Sequence, residues 1–276
     1  MTIFDEMVAE FHPQNQTDKN NAQHEVMQRI ALTGLYRGGF FEHAAFYGGT
    51  CLRIFHNLRR FSEDMDFTLT EKNPQVHLED YFPQIIESFK LTGREVTIKK
   101  KDKKTFGKVE SAFLKDNTDA FDIAFLTEKT IKVKIELDTN PPLGFDTEQN
   151  ILFKPFNSMI RCVTLPDLYA GKMHALAFRN WKTRIKGRDW YDFEWYVSNN
   201  IPLNFSHLQK RIYDFNGIEM TKEEFLNTLK NRLATGDIAS VKQDVFRFLR
   251  ADPRELDIWS NDYFLQLADR IVFRQD

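Results

Sequence analysis

At 276 residues, 42% hydrophobic and 28% charged, the chain has a globular composition and is long enough for one large domain or two ordinary ones. Its formal net charge of −2 excludes a general polycation, so any nucleic-acid contact must come from a local basic patch. The only cysteines, Cys51 and Cys162, lie far apart and form no C-x-x-C, which argues against a zinc site or redox pair and fits a reducing cytosol. The start, "MTIFDEMVAEFHPQNQ", lacks the basic and apolar regions of a signal peptide, and no apolar run approaches the roughly 18 residues of a membrane span. A cytoplasmic protein with no membrane contact is expected. The 26 Phe are read as core material.

In chain order, residues 20–37 predict a helix, with Val26, Ile30, Leu32 and Leu35 at helical spacing and Gly38-Gly39 ending it. "AAFYGG" predicts a short buried strand entering a turn, "TCLRIFHNL" a helix with Thr50 at its start, and "MDFTLT" a second strand. A helix over 79–91 follows, then four strands: "REVTIKKK", "KVESAFLK", "AFDIAFL" and "TIKVKIELD". In the last, Ile131, Val133, Ile135 and Leu137 share one face; Lys132, Lys134, Glu136 and Asp138 share the other. "NPPLG" (140–144) is a turn. From Leu165 on only helices are expected: 165–181, 189–198, 206–215, 221–234, 238–250 and 262–273. The change of character places a boundary near 160–165, giving an α/β domain with a mixed sheet (1–162) and an α-helical bundle (163–276).

The chemistry concentrates in "FYGGTCLRIFHNLRRFSEDMDF", residues 46–67. Asp64 and Asp66, two apart on a strand, share one face and repel unless a cation lies between them. Oxygen-only ligands suit Mg²⁺ or Mn²⁺. Gly48-Gly49 opening a helix offers bare backbone N–H groups at the positive end of a helix dipole, which is a phosphate site. Each feature alone is weak. Their order, followed by a strand that carries Glu136 and Asp138, describes both halves of a metal–nucleoside triphosphate site. A third carboxylate there completes a two-metal site or serves as general base; alternatively Glu136 pairs with Lys134 on a solvated face.

These residues resemble the signature of AbiEii-type toxin nucleotidyltransferases, a branch of the DNA polymerase β-like superfamily. The match runs over Gly48, Gly49, Thr50, Leu52, Arg53, Arg60, Ser62, Asp64, Asp66 and Phe67. Lys134-Ile135-Glu136-Leu137 fits the family's next landmark and favours Glu136 over Asp138. Lys172 fits the last landmark's lysine, and Arg188, Asp189 and Asp192 its R-D-x-x-D.

Read physically, Thr164 and Asp167 predict a capping box, with Leu165-Pro166 as first turn. Lys172 lies four residues from both Leu168 and Leu176, on a core-facing stripe, so it needs a negative partner or must snorkel. Asp189 and Asp192 can cap a helix start or turn toward Lys172. Arg179, Lys182, Arg184, Lys186 and Arg188, interleaved with Trp181 and Trp190, suit a single-stranded nucleic-acid end or a solvated face. "IKKKDKK" (98–104) reads as a solubilising hairpin tip. His56 and His174 have no partner at metal-ligand spacing, and serine-hydrolase, zinc-protease and P-loop motifs are missing.

The resemblance implies transfer of NMP from an NTP to an acceptor hydroxyl, with pyrophosphate released. Asp64, Asp66 and Glu136 would hold two Mg²⁺ (or Mn²⁺). Gly48, Gly49 and Thr50 would cradle the β- and γ-phosphates. Lys172 and Arg53 would offset phosphate charge, and Arg60 and Ser62 would orient it. The helical domain would close the cleft with Lys172, Arg188, Asp189 and Asp192. It further implies the toxin of a bacterial toxin–antitoxin or abortive-infection pair, with a cognate antitoxin and the 3′ end of tRNA as first acceptor. NMP transfer to a protein hydroxyl, a degenerate nucleotide-binding module and a metal-dependent phosphodiesterase are the competing expectations.

Overall fold

A computed structural model describes residues 1–73, 75–101, 118–126, 131–179, 185–249 and 253–275. The chain divides into two compact units: residues 1–141 with 147–162, and residues 142–146 with 163–276. The expected strand "KVESAFLK", residues 102–104 of the 98–104 basic run, and Trp181, Lys182 and Arg184 lie outside the described residues.

The first unit is built on a mixed seven-stranded sheet. Its strands are β1 (Ala44–Tyr47), β2 (Asp64–Leu69), β3 (Val96–Lys100), β4 (Thr118–Phe125), β5 (Lys132–Asp138), β6 (Thr147–Leu152) and β7 (Ser158–Val163). The order across the sheet is β3-β4-β5-β2-β1-β7-β6, which puts β2 in the centre. β2 runs antiparallel to β1 and parallel to β5. Alternation on β2 and β5 works as their sequences predict: Met65, Phe67, Val133, Ile135 and Leu137 are fully buried, while Asp64, Asp66, Lys134 and Glu136 sit half-buried on the other face.

Helices α1 (Ile3–Ala9), α2 (Gln16–Arg37), α3 (Gly48–Phe55) and α4 (Phe82–Leu91) belong to this unit. α1 escapes the sequence reading although Thr2 and Asp5 form a capping box at its start. α2 begins earlier than predicted, because the Asn15 side chain accepts from the Asp18 N–H. The predicted 79–91 helix opens as a 3-10 turn, Leu78–Tyr81, before α4. No element is expected from the sequence at β6 or β7; β6 is largely exposed at the sheet edge, so it lacks the apolar alternation that marks a strand. The phenylalanines do pack the core: Phe67 lies 5.1 Å from Phe46 and 5.2 Å from Phe40, ring centre to ring centre.

The second unit carries α5 (Leu165–Phe178), α6 (Gly187–Ser198), α7 (Phe205–Asn216), α8 (Lys222–Thr235), α9 (Ile238–Phe246) and α10 (Asn261–Ala268). Two capping expectations are corrected. Thr164 is the N-cap of α5, but its hydroxyl donates to the Asp167 carboxylate (2.7 Å) instead of accepting a backbone N–H. The N-cap of α6 is Lys186, not Asp189, which frees both α6 aspartates for another task. Among the described residues no helix is long and apolar enough to cross a membrane.

Candidate active site

Strand register gathers the acidic residues. Asp66 lies opposite Tyr47 on β1 and opposite Glu136 on β5; Asp64 lies opposite Lys134, and Lys134 in turn opposite Asp122 of β4. Cross-strand partners share a face, so Asp64, Asp66, Lys134 and Glu136 form a two-by-two patch. Asp138 falls one step further, opposite Thr68, and its Oδ1 accepts from the Asn140 N–H (3.0 Å) at the strand's end. Lys134 Nζ is 2.6 Å from Glu136 Oε1. That oxygen is buried and has no hydrogen-bond partner, so the contact is ionic without hydrogen-bond geometry. Burial presses the Lys134 ammonium downward in pKa, but Glu136, Asp64 and Asp66 outweigh it and the net shift is upward. Among the described residues no three His, Cys, Asp or Glu side chains draw together as a ready metal-ligand set. The donor chemistry nonetheless fits a hard divalent cation: acidic oxygens on one face, one of them buried without a hydrogen bond.

The glycines meet this patch from β1. Gly48 adopts φ +82°, and a Cβ there would stand 2.4 Å from Asp66 Oδ2. A Cβ on Gly49 would stand 2.5 Å from Arg60 Nη2 and 3.1 Å from Ser62 Oγ. So both glycines are required by close approach of the site's own side chains, a reason beyond exposing N–H groups. α3 starts at Gly48, not at Thr50, and its N-cap Tyr47 supplies no side-chain cap. The helix therefore begins beside Asp66 with first-turn N–H groups that its cap leaves unused. Thr50 is buried inside α3 and its hydroxyl donates to the Asp64 carbonyl, tying helix to strand; it offers phosphate no hydroxyl. Gly48→Ala is expected to cost about 2–4 kcal/mol, from the left-handed φ and the clash. Urea denaturation checks this: an unchanged midpoint would contradict it.

The sequence reading missed what braces the segment before β2. Gln28, 1% exposed on α2, donates through Nε2 to the carbonyls of Ser62 (2.9 Å) and Glu63 (3.0 Å). Glu25, also buried on α2, accepts from Arg29 (2.6 Å) and Arg53 (2.8 Å). Arg53 further donates to the carbonyls of Leu58 (3.0 Å) and Arg59 (2.6 Å), with its guanidinium 4.4 Å from the Phe61 ring centre. With these partners Arg53 braces the 58–61 segment. Arg60 is 2% exposed and donates to the Phe61 carbonyl (3.0 Å), behind Gly49. Glu25 and Gln28 within the apolar stripe of a helix are the available signal, hidden because sequence alone does not show that the side of α2 carrying them is buried.

The second unit has its own charged centre. Lys172 Nζ reaches Asp189 Oδ1 and Asp192 Oδ2, each at 2.7 Å, and Arg179 stands 3.7 Å from Asp189. Lys172 thus finds the negative partners that burial demands, on α6. Against the cost of burial, Lys172, Arg179 and Lys186 hold the Asp189 carboxyl far below the usual range. Arg188 instead lies over the Phe248 ring, at 4.4 Å.

His174 and His207 are buried between α5 and α7 residues. His174 Nε2 meets Asn216 Oδ1 at 2.9 Å. Burial, then Arg211, lowers each pKa to about 3. The unfolded chain, with histidine near 6.5, binds protons that the folded unit refuses, so stability is full above about pH 6.5 and falls as pH drops toward 3. Between pH 7 and 4.5 each histidine is expected to remove about 2–3 kcal/mol. Urea midpoints at the two pH values test this; His207→Phe should shrink the difference, and an undiminished difference would contradict it.

The comparisons with known proteins bear on the fold and the family. Among solved structures, MenT4, a nucleotidyltransferase toxin from Mycobacterium tuberculosis H37Rv, matches with TM-score 0.55 at 15% identity, covering 98% of each chain. JHP933 from Helicobacter pylori matches with TM-score 0.54 at 17% identity, covering 90% of each chain. At such identities the likeness shows the fold, which is that of a nucleotidyltransferase toxin. The family described as "Nucleotidyl transferase AbiEii toxin, Type IV TA system" matches residues 30–267. The chain belongs to this AbiEii family and is a nucleotidyltransferase that uses NTP. Among curated proteins none matches.

Proposed function

We propose that this nucleotidyltransferase transfers NMP to the 3′ end of tRNA as the toxin of a toxin–antitoxin pair, acting from the Gly48–Glu136 face. The observation that carries the site is the register: Asp66 lies between Tyr47 and Glu136 and touches the Gly48 turn that opens α3. A phosphate at the start of α3 would thereby lie beside the acidic oxygens of the strand face. Asp64 and Asp66, with Glu136, would hold Mg²⁺ or Mn²⁺, which when bound supplies charge neutralisation for the triphosphate. The N–H groups of Gly48, Gly49 and Thr50 would hold the β- and γ-phosphates. The acceptor hydroxyl forms a bond to the α-phosphorus, the bond to the bridging oxygen breaks, and pyrophosphate leaves with its electron pair. The hydroxyl proton passes to an acidic oxygen of the face.

Lys172, paired with Asp189 and Asp192, is assigned to phosphate charge in this reading. Arg188 and the neighbouring basic residues bind the acceptor. A cognate antitoxin restrains the enzyme. The two thiols, buried and unbridged, fit a cytoplasmic site of action, where NTP and tRNA meet.

The test uses purified protein, Mg²⁺, total tRNA and each α-³²P-labelled NTP in turn, with Asp64→Ala/Asp66→Ala as control. Label on tRNA that vanishes in the control is expected, and it names the base. Label on protein would replace tRNA with a protein hydroxyl. No label with nucleotide still bound would overturn transfer altogether.

A further inference from the structure

Lys134 stands where the carboxylates most repel one another. It is 2.6 Å from Glu136, opposite Asp64 on one side and opposite Asp122 on the other, with Asp66 diagonal to it. Its side chain is 15% exposed or less, as is that of Glu136, so water screens this cluster poorly. Its cross-strand neighbours Asp64 and Asp122 are acidic, as is Glu136 two residues on in β5; the one cation beside it on β5, Lys132, is exposed. Strand geometry alone requires no lysine between carboxylates at that position.

We infer that Lys134 is an internal counter-ion: its ammonium holds the acidic face together when no divalent ion is present and keeps free metal from binding tightly. This rests on the metal-assisted reading proposed above and adds a role for a residue that this reading does not use. The physical argument is charge competition. An incoming divalent ion meets three carboxylates that are already partly neutralised, and it must take Glu136 from Lys134 or do without it. The nucleotide's triphosphate brings the missing negative charge, so metal and NTP are expected to bind together far better than metal alone. Replacing the ammonium by a neutral chain of similar length reverses that preference.

The experiment titrates wild type, Lys134→Met and Lys134→Arg with Mn²⁺ in the absence of nucleotide, counting free Mn²⁺ by electron paramagnetic resonance. Circular dichroism establishes that each variant is folded. Lys134→Met is expected to bind Mn²⁺ about tenfold tighter or more, and Lys134→Arg to stay within about twofold of wild type. Adding Asp64→Ala/Asp66→Ala to Lys134→Met should abolish the gain. In EDTA the Lys134→Met protein should melt below wild type, and Mn²⁺ should restore it. If Lys134→Met is unfolded, Lys134→Gln is titrated in its place with the same expectation. A folded neutral variant that binds Mn²⁺ no tighter than wild type overturns the inference, and labelled-NTP transfer by wild type would then show that the functional reading survives it. An Asp64- and Asp66-dependent gain in a protein with no transfer activity would leave Lys134 as counter-ion and remove the proposed reaction.

Discussion

Asp66→Asn is expected to lower NMP transfer by about a thousandfold while the protein stays folded. The substitution keeps shape and hydrogen-bonding length but removes one negative charge. Asp66 occupies the central position of the proposed site, between Tyr47 and Glu136 and against Gly48. Its loss also relieves repulsion with Glu136, so stability should hold or rise slightly. Initial rates with saturating NTP, alongside thermal melts, separate the two effects. A rate within about tenfold of wild type would move the reaction away from this face.

Lys172→Met carries the largest expected stability effect. Asp189 is 4% exposed and Asp192 fully buried, and each meets the Lys172 ammonium at 2.7 Å, with Arg179 a further 3.7 Å from Asp189. Removing one partner of a buried ion pair costs about 3–5 kcal/mol, because the remaining charge cannot return to water. Urea midpoints should fall accordingly. The triple variant Lys172→Met/Asp189→Asn/Asp192→Asn removes charge from both sides and should regain most of the lost stability. Transfer should remain lost in the triple variant if Lys172 serves phosphate. Recovery of activity with recovery of stability would make Lys172 a purely structural residue.

The central pattern was legible because short-range rules govern it. A period of two on β2 and β5 put Asp64, Asp66 and Glu136 on polar faces, and a glycine pair before an amphipathic helix marked the turn. The partners were legible only in kind. That Lys172 needed a negative partner followed from its stripe; that the partners sit on α6 required Lys186, not Asp189, to start that helix. The tie of Arg53 to Glu25 was not legible, because that partner lies 28 residues earlier and the sequence shows only a cation after a glycine turn. Thr50 was placed at a helix start since Ser and Thr favour N-caps, yet Gly48 begins the helix and frees the hydroxyl for the Asp64 carbonyl. β6 was invisible because an exposed edge strand has little apolar pattern to read.

The most direct measurement is a crystal structure of the protein with Mn²⁺ and a nucleoside triphosphate whose α–β bridge is methylene. The account predicts anomalous density between Asp64 and Asp66, with the phosphates at the start of the Gly48–Phe55 helix. Nucleotide and metal bound away from that face would contradict it.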